Sequence, residues 1–400
     1  MAMGVDELSS QLRGTISFGP SGVGAPVAAA QLEVCLLHDY HERAQMSMKL
    51  YAEHLGRALE GEGFRVRRVR PGYLLPEVLR GNRWVSKIDS LAGRYLLYPV
   101  IARRQCSDVF HVVDHGQGHL VRSLDGGRTV VTCHDVMLLL VAAGRLRCPD
   151  RPLLATRLLR DASRALKRAA RIVAVSEQTR RDLAEVSDVD PARIEVVPNG
   201  LDPAFRPLPG AREEMRERLG LGNRPVVLHV GKPNFYKNIS GCLEIVAELR
   251  RLGVDAILLR AGPLMRPEHR HLAHMLGIAP VVRELGPVPG DVLPRIYHAA
   301  DVFLFPSLYE GFGWPPCEAM ACGTPVVCSR NGSLGEVVGD AALTADAEDV
   351  PALARHLEAV LSDPGLAQTL RERGRARAAK FDWPTAARRI GAIYRDIVGG

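Results

Sequence analysis

Four hundred residues exceed one compact core and fit two domains of ordinary size. The 52 Lys and Arg against 45 Asp and Glu leave a net charge of +7, too mild to imply a nucleic-acid partner. No apolar run reaches the ~18 residues that a spanning helix needs.

The first stretch, residues 1–32, holds Gly, Ser and Ala without a basic segment leading into an apolar one. It reads as a flexible extension outside the fold and not as a secretory signal. From there short β-rich apolar runs alternate with helical patterns, the mark of parallel sheets with crossover helices. Strands are expected at Glu33–His38, Phe64–Val69, Val109–Val113, Thr129–Cys133, Arg171–Val175 and Ile194–Val197. A second set follows at Val226–Val230, Ala256–Arg260, Val281–Leu285, Val302–Phe305 and Pro325–Cys328. Helices are expected over Met46–Glu60 and Leu153–Ala170, among others. The Pro-rich run Leu201–Gly210 suits a semi-rigid hinge. The expected architecture is α/β, two Rossmann-like doubly wound sheets in series, with domains over 33–205 and 206–384.

Charge is uneven. Between Arg65 and Arg104 ten Lys and Arg face only Glu77 and Asp89, a local balance of +8, so the rest of the chain is close to neutral. Within this segment Trp84, Ile88, Leu91 and Tyr95 repeat at helical spacing, with Arg83, Lys87 and Arg94 on flanking positions. Two readings stay open: a basic amphipathic helix resting on an anionic membrane, or a helix packed on the sheet beneath a solvated basic surface. The eight cysteines are scattered without a CxxC pair, and they read as reduced residues of a cytoplasmic protein.

The most informative stretch is Asp301–Ser329. An apolar strand ends at Pro306, a glycine-containing loop follows, and Pro315–Pro316 opens a helix that closes at Gly323. Glu310 on the loop and Glu318 in the helix bracket Gly311, Phe312 and Gly313. Glycines let main-chain N–H groups approach a ligand, a helix N-terminus favours phosphate, and carboxylates accept hydrogen bonds from sugar hydroxyls. Upstream, Gly231-Lys232-Pro-Asn-Phe-Tyr-Lys237-Asn238 leaves a strand end with two cations suited to a diphosphate.

The run EGFGWPPCEAMACGTPVV resembles the E-x7-E motif of glycosyltransferase family four, retaining enzymes of the GT-B fold. Gly231–Asn238 is similar to that family's phosphate loop, with Lys232 where Arg is usual, so the bidentate fork is lost and only charge is kept. The likeness continues through Ala261–Gly262, Gly286–Asp291 and Ser329–Glu336 and covers nearly all of residues 224–384. It implies two domains facing a cleft, with a last helix at 385–400 crossing back onto the first. It also implies that Glu310 contacts the transferred sugar, Glu318 the ribose, and Lys232 and Lys237 the leaving diphosphate. Val288, in the 286–290 loop, is placed beside the base. The substrate would be a nucleotide-diphosphate sugar, UDP- or GDP-linked, with no metal and no further cofactor.

The first half matches less well. The family's glycine-rich loop after the first strand is replaced by His38-Asp39-Tyr40-His41-Glu42. Two strand-end clusters supply the acceptor-side candidates: Asp114, His115 and His119 after one strand, and His134 and Asp135 after another. The family carries histidine near the first place and an H-D pair at the second, and His115 is assigned to flank the reacting centre. His269, His271 and His274 read as a solvated helix face, and Asp188–Asp190 as linker rather than a metal motif. The acceptor is a hydroxyl on a glycan, a lipid-linked sugar or a small metabolite. The competing readings are a GT-B nucleotide-sugar 2-epimerase and a non-catalytic sugar-nucleotide-binding protein.

Overall fold

The computed structural model describes residues 31–39, 46–148 and 153–399. Nearly all of the expected extension, and Tyr40, His41 and Glu42, lie outside the described residues.

Two six-stranded sheets make up the chain, and every strand pairing in both is parallel. The first holds β1 (Glu33–Leu37), β2 (Arg65–Val69), β3 (Val109–Val112), β4 (Thr129–Cys133), β5 (Arg171–Ala174) and β6 (Ile194–Val196) in the order β2-β1-β3-β4-β5-β6. The second holds β7 (Val226–Val230), β8 (Ile257–Ala261), β9 (Val282–Glu284), β10 (Val302–Phe305), β11 (Val326–Ser329) and β12 (Ala342–Ala345) in the order β12-β11-β10-β7-β8-β9. Eleven of the twelve strands fall on expected runs. The exception, β12, reads Ala-Leu-Thr-Ala, too short and too small in side chain to signal a strand by itself.

The continuous apolar runs follow from burial on both faces. In the first sheet Cys35, Leu37, Val112, Val131 and Ala174 pack on one side against Tyr98, Ala102, Leu166 and Leu183. Their alternates Val34, Leu36, Val109, Val130 and Val173 pack on the other against Tyr51, Leu55 and Leu59. The helix Leu153–Leu166 ends earlier than its apolar pattern suggested, because the chain turns there to enter β5. Six of the eight cysteines are buried, while Cys106 is exposed.

The last helix, Trp383–Gly399, completes the first sheet's second face with Trp383, Ala387, Ile390, Ile393 and Tyr394. Its polar anchor is buried: the Tyr394 hydroxyl shares a hydrogen bond with His111 Nδ1, and His111 Nε2 meets Thr132 Oγ1 at 2.7 Å. Burial holds His111 down at about 3, so the ring is neutral. Leu32–Gly400 forms one compact unit, in which both sheets take part.

Tyr394→Phe leaves His111 Nδ1 buried without its partner. The expected outcome is a loss of about 1–3 kcal/mol in urea denaturation with an unchanged slope.

Candidate functional site

In open parallel sheets the loops beyond the strands' carboxyl ends form the binding crevice. Here the loops after β4 and β10 meet so closely that a Cβ on Gly311 would lie 1.7 Å from the His134 carbonyl oxygen. Only glycine fits. The Gly311 carbonyl accepts hydrogen bonds from Ser176 Oγ at 2.7 Å and Thr179 Oγ1 at 3.1 Å. Tyr309 donates to Asp182 Oδ2 at 2.8 Å in a buried contact.

Within the second sheet's loops, Lys237 Nζ lies 2.7 Å from Glu310 Oε1, and both side chains are largely buried. The same ammonium sits 4.6 Å above the Phe305 ring, a face that favours a cation. Lys232 is exposed, and its side chain makes no ion pair or hydrogen bond among the described residues. Asn238 adopts φ 52° and caps the helix Ile239–Arg251, its Oδ1 accepting from Gly241 N at 3.1 Å. Its amide also reaches the Ala347 carbonyl, so both ends of the side chain shape the loop.

Gly313, at φ 103°, turns the chain into the helix Trp314–Cys322, with Pro315 and Pro316 in its first turn. Glu318 on that helix accepts a hydrogen bond from the Tyr297 hydroxyl at 2.7 Å. Its surface is only partly covered, yet the surrounding walls remove it from bulk water. Burial pushes its carboxyl up to about 7, against the opposing pull of the Tyr297 bond. Val288 is half-buried against the same core, and the Gly286 carbonyl accepts from Gly262 N at 2.9 Å.

On the facing domain, His115 Nδ1 lies 3.4 Å from Asp114 Oδ1, and both groups are well covered. Burial would raise the Asp114 carboxyl, but His115, His134 and Arg94 together with the Gly116 N–H hold it below the usual range. His119 Nε2 meets the Arg94 carbonyl at 3.0 Å, and burial lowers it to about 4. His134 Nε2 meets the Val113 carbonyl at 2.8 Å, and Asp135 Oδ1 accepts from Met137 N at 3.1 Å. These three side chains are therefore tied to main chain, while His115 faces the Asp114 carboxylate. His271 and His274 are exposed, His269 half-buried. Asp190 caps the turn Pro191–Arg193. Among the described residues no three His, Cys, Asp or Glu side chains converge to hold a metal.

Comparison with known proteins agrees along most of the described chain. The family model described as Glycosyltransferase Family 4 matches residues 48–205, and that described as Glycosyl transferases group 1 matches 211–377. The D-inositol 3-phosphate glycosyltransferase of Corynebacterium kroppenstedtii is 33% identical over 320 residues, covering 75% of this chain and 70% of that protein. The chain belongs to glycosyltransferase family four. The Salinispora arenicola relative of the same description is 35% identical over 299 residues, 70% of this chain and 66% of its own length. The chain thus spans about two thirds of these relatives. The O-antigen chain mannosyltransferase B of Escherichia coli is 51% identical over 102 residues, 26% of this chain and 27% of that one. In fold, sucrose-phosphate synthase from Thermosynechococcus elongatus superposes with a TM-score of 0.75 at 23% identity, covering 92% of this chain and 100% of that one. Anabaena HepE in complex with UDP-glucose superposes at 0.70 with 17% identity over 92% of this chain and 100% of that one. These likenesses establish the two-domain GT-B fold.

Three residues beside the candidate site make contacts that no local motif announces. Tyr297 sits in an unremarkable helix and meets Glu318 only in the folded state. Glu336 accepts from Glu177 N at 2.9 Å and Gln178 N at 3.2 Å, capping a helix of the other domain. Arg260, 1% exposed on β8, donates to the Gly231 carbonyl at 2.9 Å and to Glu284 Oε1 at 3.1 Å. A charged residue inside an apolar strand run is the signal that could have marked it. His229 beside it is fully buried, and burial holds it well below its ordinary value, so it adds no charge.

Arg260→Met strands Glu284 without its cation. The expected outcome is a loss of about 3 kcal/mol by chemical denaturation, with Arg260→Met/Glu284→Gln regaining a large part of it.

Proposed function

We propose that this glycosyltransferase moves a sugar from a nucleotide-diphosphate sugar, UDP- or GDP-linked, to a hydroxyl acceptor with retention of configuration. The observation that carries the reading is the Lys237–Glu310 contact beside the Gly311–Gly313 loop. It puts a cation and a carboxylate at the junction of a glycine loop and a helix N-terminus, the chemistry that a sugar diphosphate requires. The relatives' printed names support the class: one series acts on D-inositol 3-phosphate, another adds mannose to a saccharide chain, and a fold relative binds UDP-glucose.

In this reading the diphosphate draws Lys237 from Glu310, and Lys232 joins from the open side of the loop. Glu310, released, accepts a hydrogen bond from the transferred sugar. The leaving phosphate takes the acceptor's proton as the new glycosidic bond forms on the same face, a route that needs positioning and charge stabilisation only. His115, held by Asp114, flanks the reacting centre from the facing domain. Gly231 and Gly311–Gly313 allow close main-chain approach, Asn238 holds the phosphate loop in shape, and Val288 lies beside the base. Glu318 receives the ribose hydroxyls. His134 and Asp135 position the acceptor-side loop against Gly311, and His119 braces the helix behind it. The acceptor is a hydroxyl of a glycan, a glycolipid or a small metabolite such as a phosphorylated polyol.

Lys237→Ala is expected to lower kcat/KM by about 100-fold and to weaken UDP or GDP binding, whereas Glu310→Gln lowers kcat by a similar factor with nucleotide affinity kept. Wild-type turnover in both variants, measured against a panel of donor sugars, overturns the assignment. An epimerised nucleotide sugar as the only product overturns transfer itself. Lysines and a helix dipole neutralise the phosphate here, so activity persists in EDTA; abolition by EDTA and rescue by Mg²⁺ would contradict that.

The raised Glu318 carboxyl also predicts a pH dependence. Between the ordinary 4.5 and about 7 the folded protein keeps a proton that the unfolded chain has released. Fold stability from this group therefore falls as pH climbs through that window. Ribose binding needs the ionised acceptor and moves the other way: nucleotide affinity by calorimetry is expected to rise as pH passes about 7, and Glu318→Gln to flatten the rise.

A further inference from the structure

Between β2 and β3 the first domain presents a face that no part of the described chain covers. The segment runs through the turn Glu77–Gly81, the helix Arg83–Ala92, a π turn at Gly93–Leu97 and the helix Tyr98–Arg103. On it Val78 is 91% exposed, Trp84 71%, Leu96 68% and Ile88 66%, and Leu79 and Val100 are exposed beside them. With Leu74 and Leu75, these are eight of the fourteen large hydrophobic side chains exposed among the described residues. So dense a group marks an interaction surface, since scattered single exposures are the ordinary case.

The expected single stripe of Trp84, Ile88, Leu91 and Tyr95 divides. Leu91 and Tyr95 are half-buried, Tyr95 against His119 at 4.5 Å, and the π turn at Gly93–Leu97 shifts Tyr95 off the α-helical register of Leu91. Trp84 and Ile88 face solvent, which removes the reading that they pack on the sheet. The ridge is also braced. Asp89, buried, accepts Leu74 N at 2.9 Å and Leu75 N at 3.1 Å and so pins the preceding loop to the helix.

The charge around the ridge is selective. Arg65 and Arg67 pair with Glu33, Arg68 with Glu60, Arg80 with Asp89 and Arg94 with Asp39. Arg70, Lys87, Arg103 and Arg104 are exposed and make no ion pair among the described residues. We infer that this ridge docks on a bilayer containing anionic lipids, Trp84 and Ile88 entering the interface and the four free cations meeting the headgroups. A second copy fits worse, since a two-fold contact sets the same cations against one another. Through Arg94, which donates to Gln117 Oε1 at 2.9 Å, the ridge adjoins the loops after β1 and β3. In the proposed transfer that is the acceptor side, so the inference, resting on that reading, selects a lipid-linked acceptor from the classes left open.

Sedimentation of the full chain with phosphatidylcholine vesicles, with and without phosphatidylglycerol, tests it. Wild type is expected to sediment with the anionic vesicles at low salt and to be released at high salt. Trp84→Glu/Ile88→Glu, and separately Lys87→Glu/Arg103→Glu, are each expected to lower the partition coefficient at least ~10-fold. Of the three tryptophans Trp383 is buried and Trp314 half-buried, so a vesicle-induced blue shift of emission reports Trp84 and vanishes in Trp84→Phe. Thermal shift by UDP or GDP, unchanged in both double variants, reads the donor site separately from the docking face. Wild type remaining in the supernatant at low salt overturns the inference. So does sedimentation of the double variants like wild type, or self-association that Trp84→Glu/Ile88→Glu abolishes without any vesicle binding.

Discussion

The cleft rests on main chain packed against main chain. Gly311 lies where any side chain would strike the His134 carbonyl, and its own carbonyl is bound by Ser176 and Thr179 of the other domain. Tyr309 with Asp182, and Glu336 with the first N–H groups of the helix Glu177–Val186, extend the seam on either side. Residues 309–336 therefore hold the candidate site's glycine loop and also form the surface that fits the domains together.

Electrostatics in the second sheet are arranged in depth. Arg260 lies beneath the loop Gly231–Asn238 and spends its donors on the Gly231 carbonyl and Glu284, so it sets loop shape. Above it Lys237 is committed to Glu310 and rests on the Phe305 face, while Lys232 stands free at the rim. A cation already desolvated and oriented loses little on changing partner. Glu318 is the opposite case: its walls oppose its charge, and Tyr297 holds it in one orientation.

The acceptor domain shows why a histidine's address says little about its job. His111 lies within β3 and His119 and His134 beyond strand ends, and all three use ring nitrogens to satisfy buried partners: Tyr394, the Arg94 carbonyl and the Val113 carbonyl. Unpaired polar groups there would be costly, so structural use comes first. His115 differs in having a carboxylate 3.4 Å from its Nδ1.

Strand positions, the parallel architecture and the EGFG run were legible in the chain itself, because burial on both faces of a sheet writes continuous apolar runs and glycine loops follow them. The family likeness came from the same residues. Tertiary structure alone decided which polar groups meet. Tyr297 and Glu318, Arg260 and Gly231, and Glu336 and Glu177 are joined by packing across elements, and no local spacing encodes that. It also decided the fate of the helix after Arg83. Periodicity put Trp84, Ile88, Leu91 and Tyr95 on one face, but in the packed chain Leu91 and Tyr95 are half-buried while Trp84 and Ile88 stand in water. Local patterning records which side chains can share a face, and only the packed chain determines whether anything lies against it.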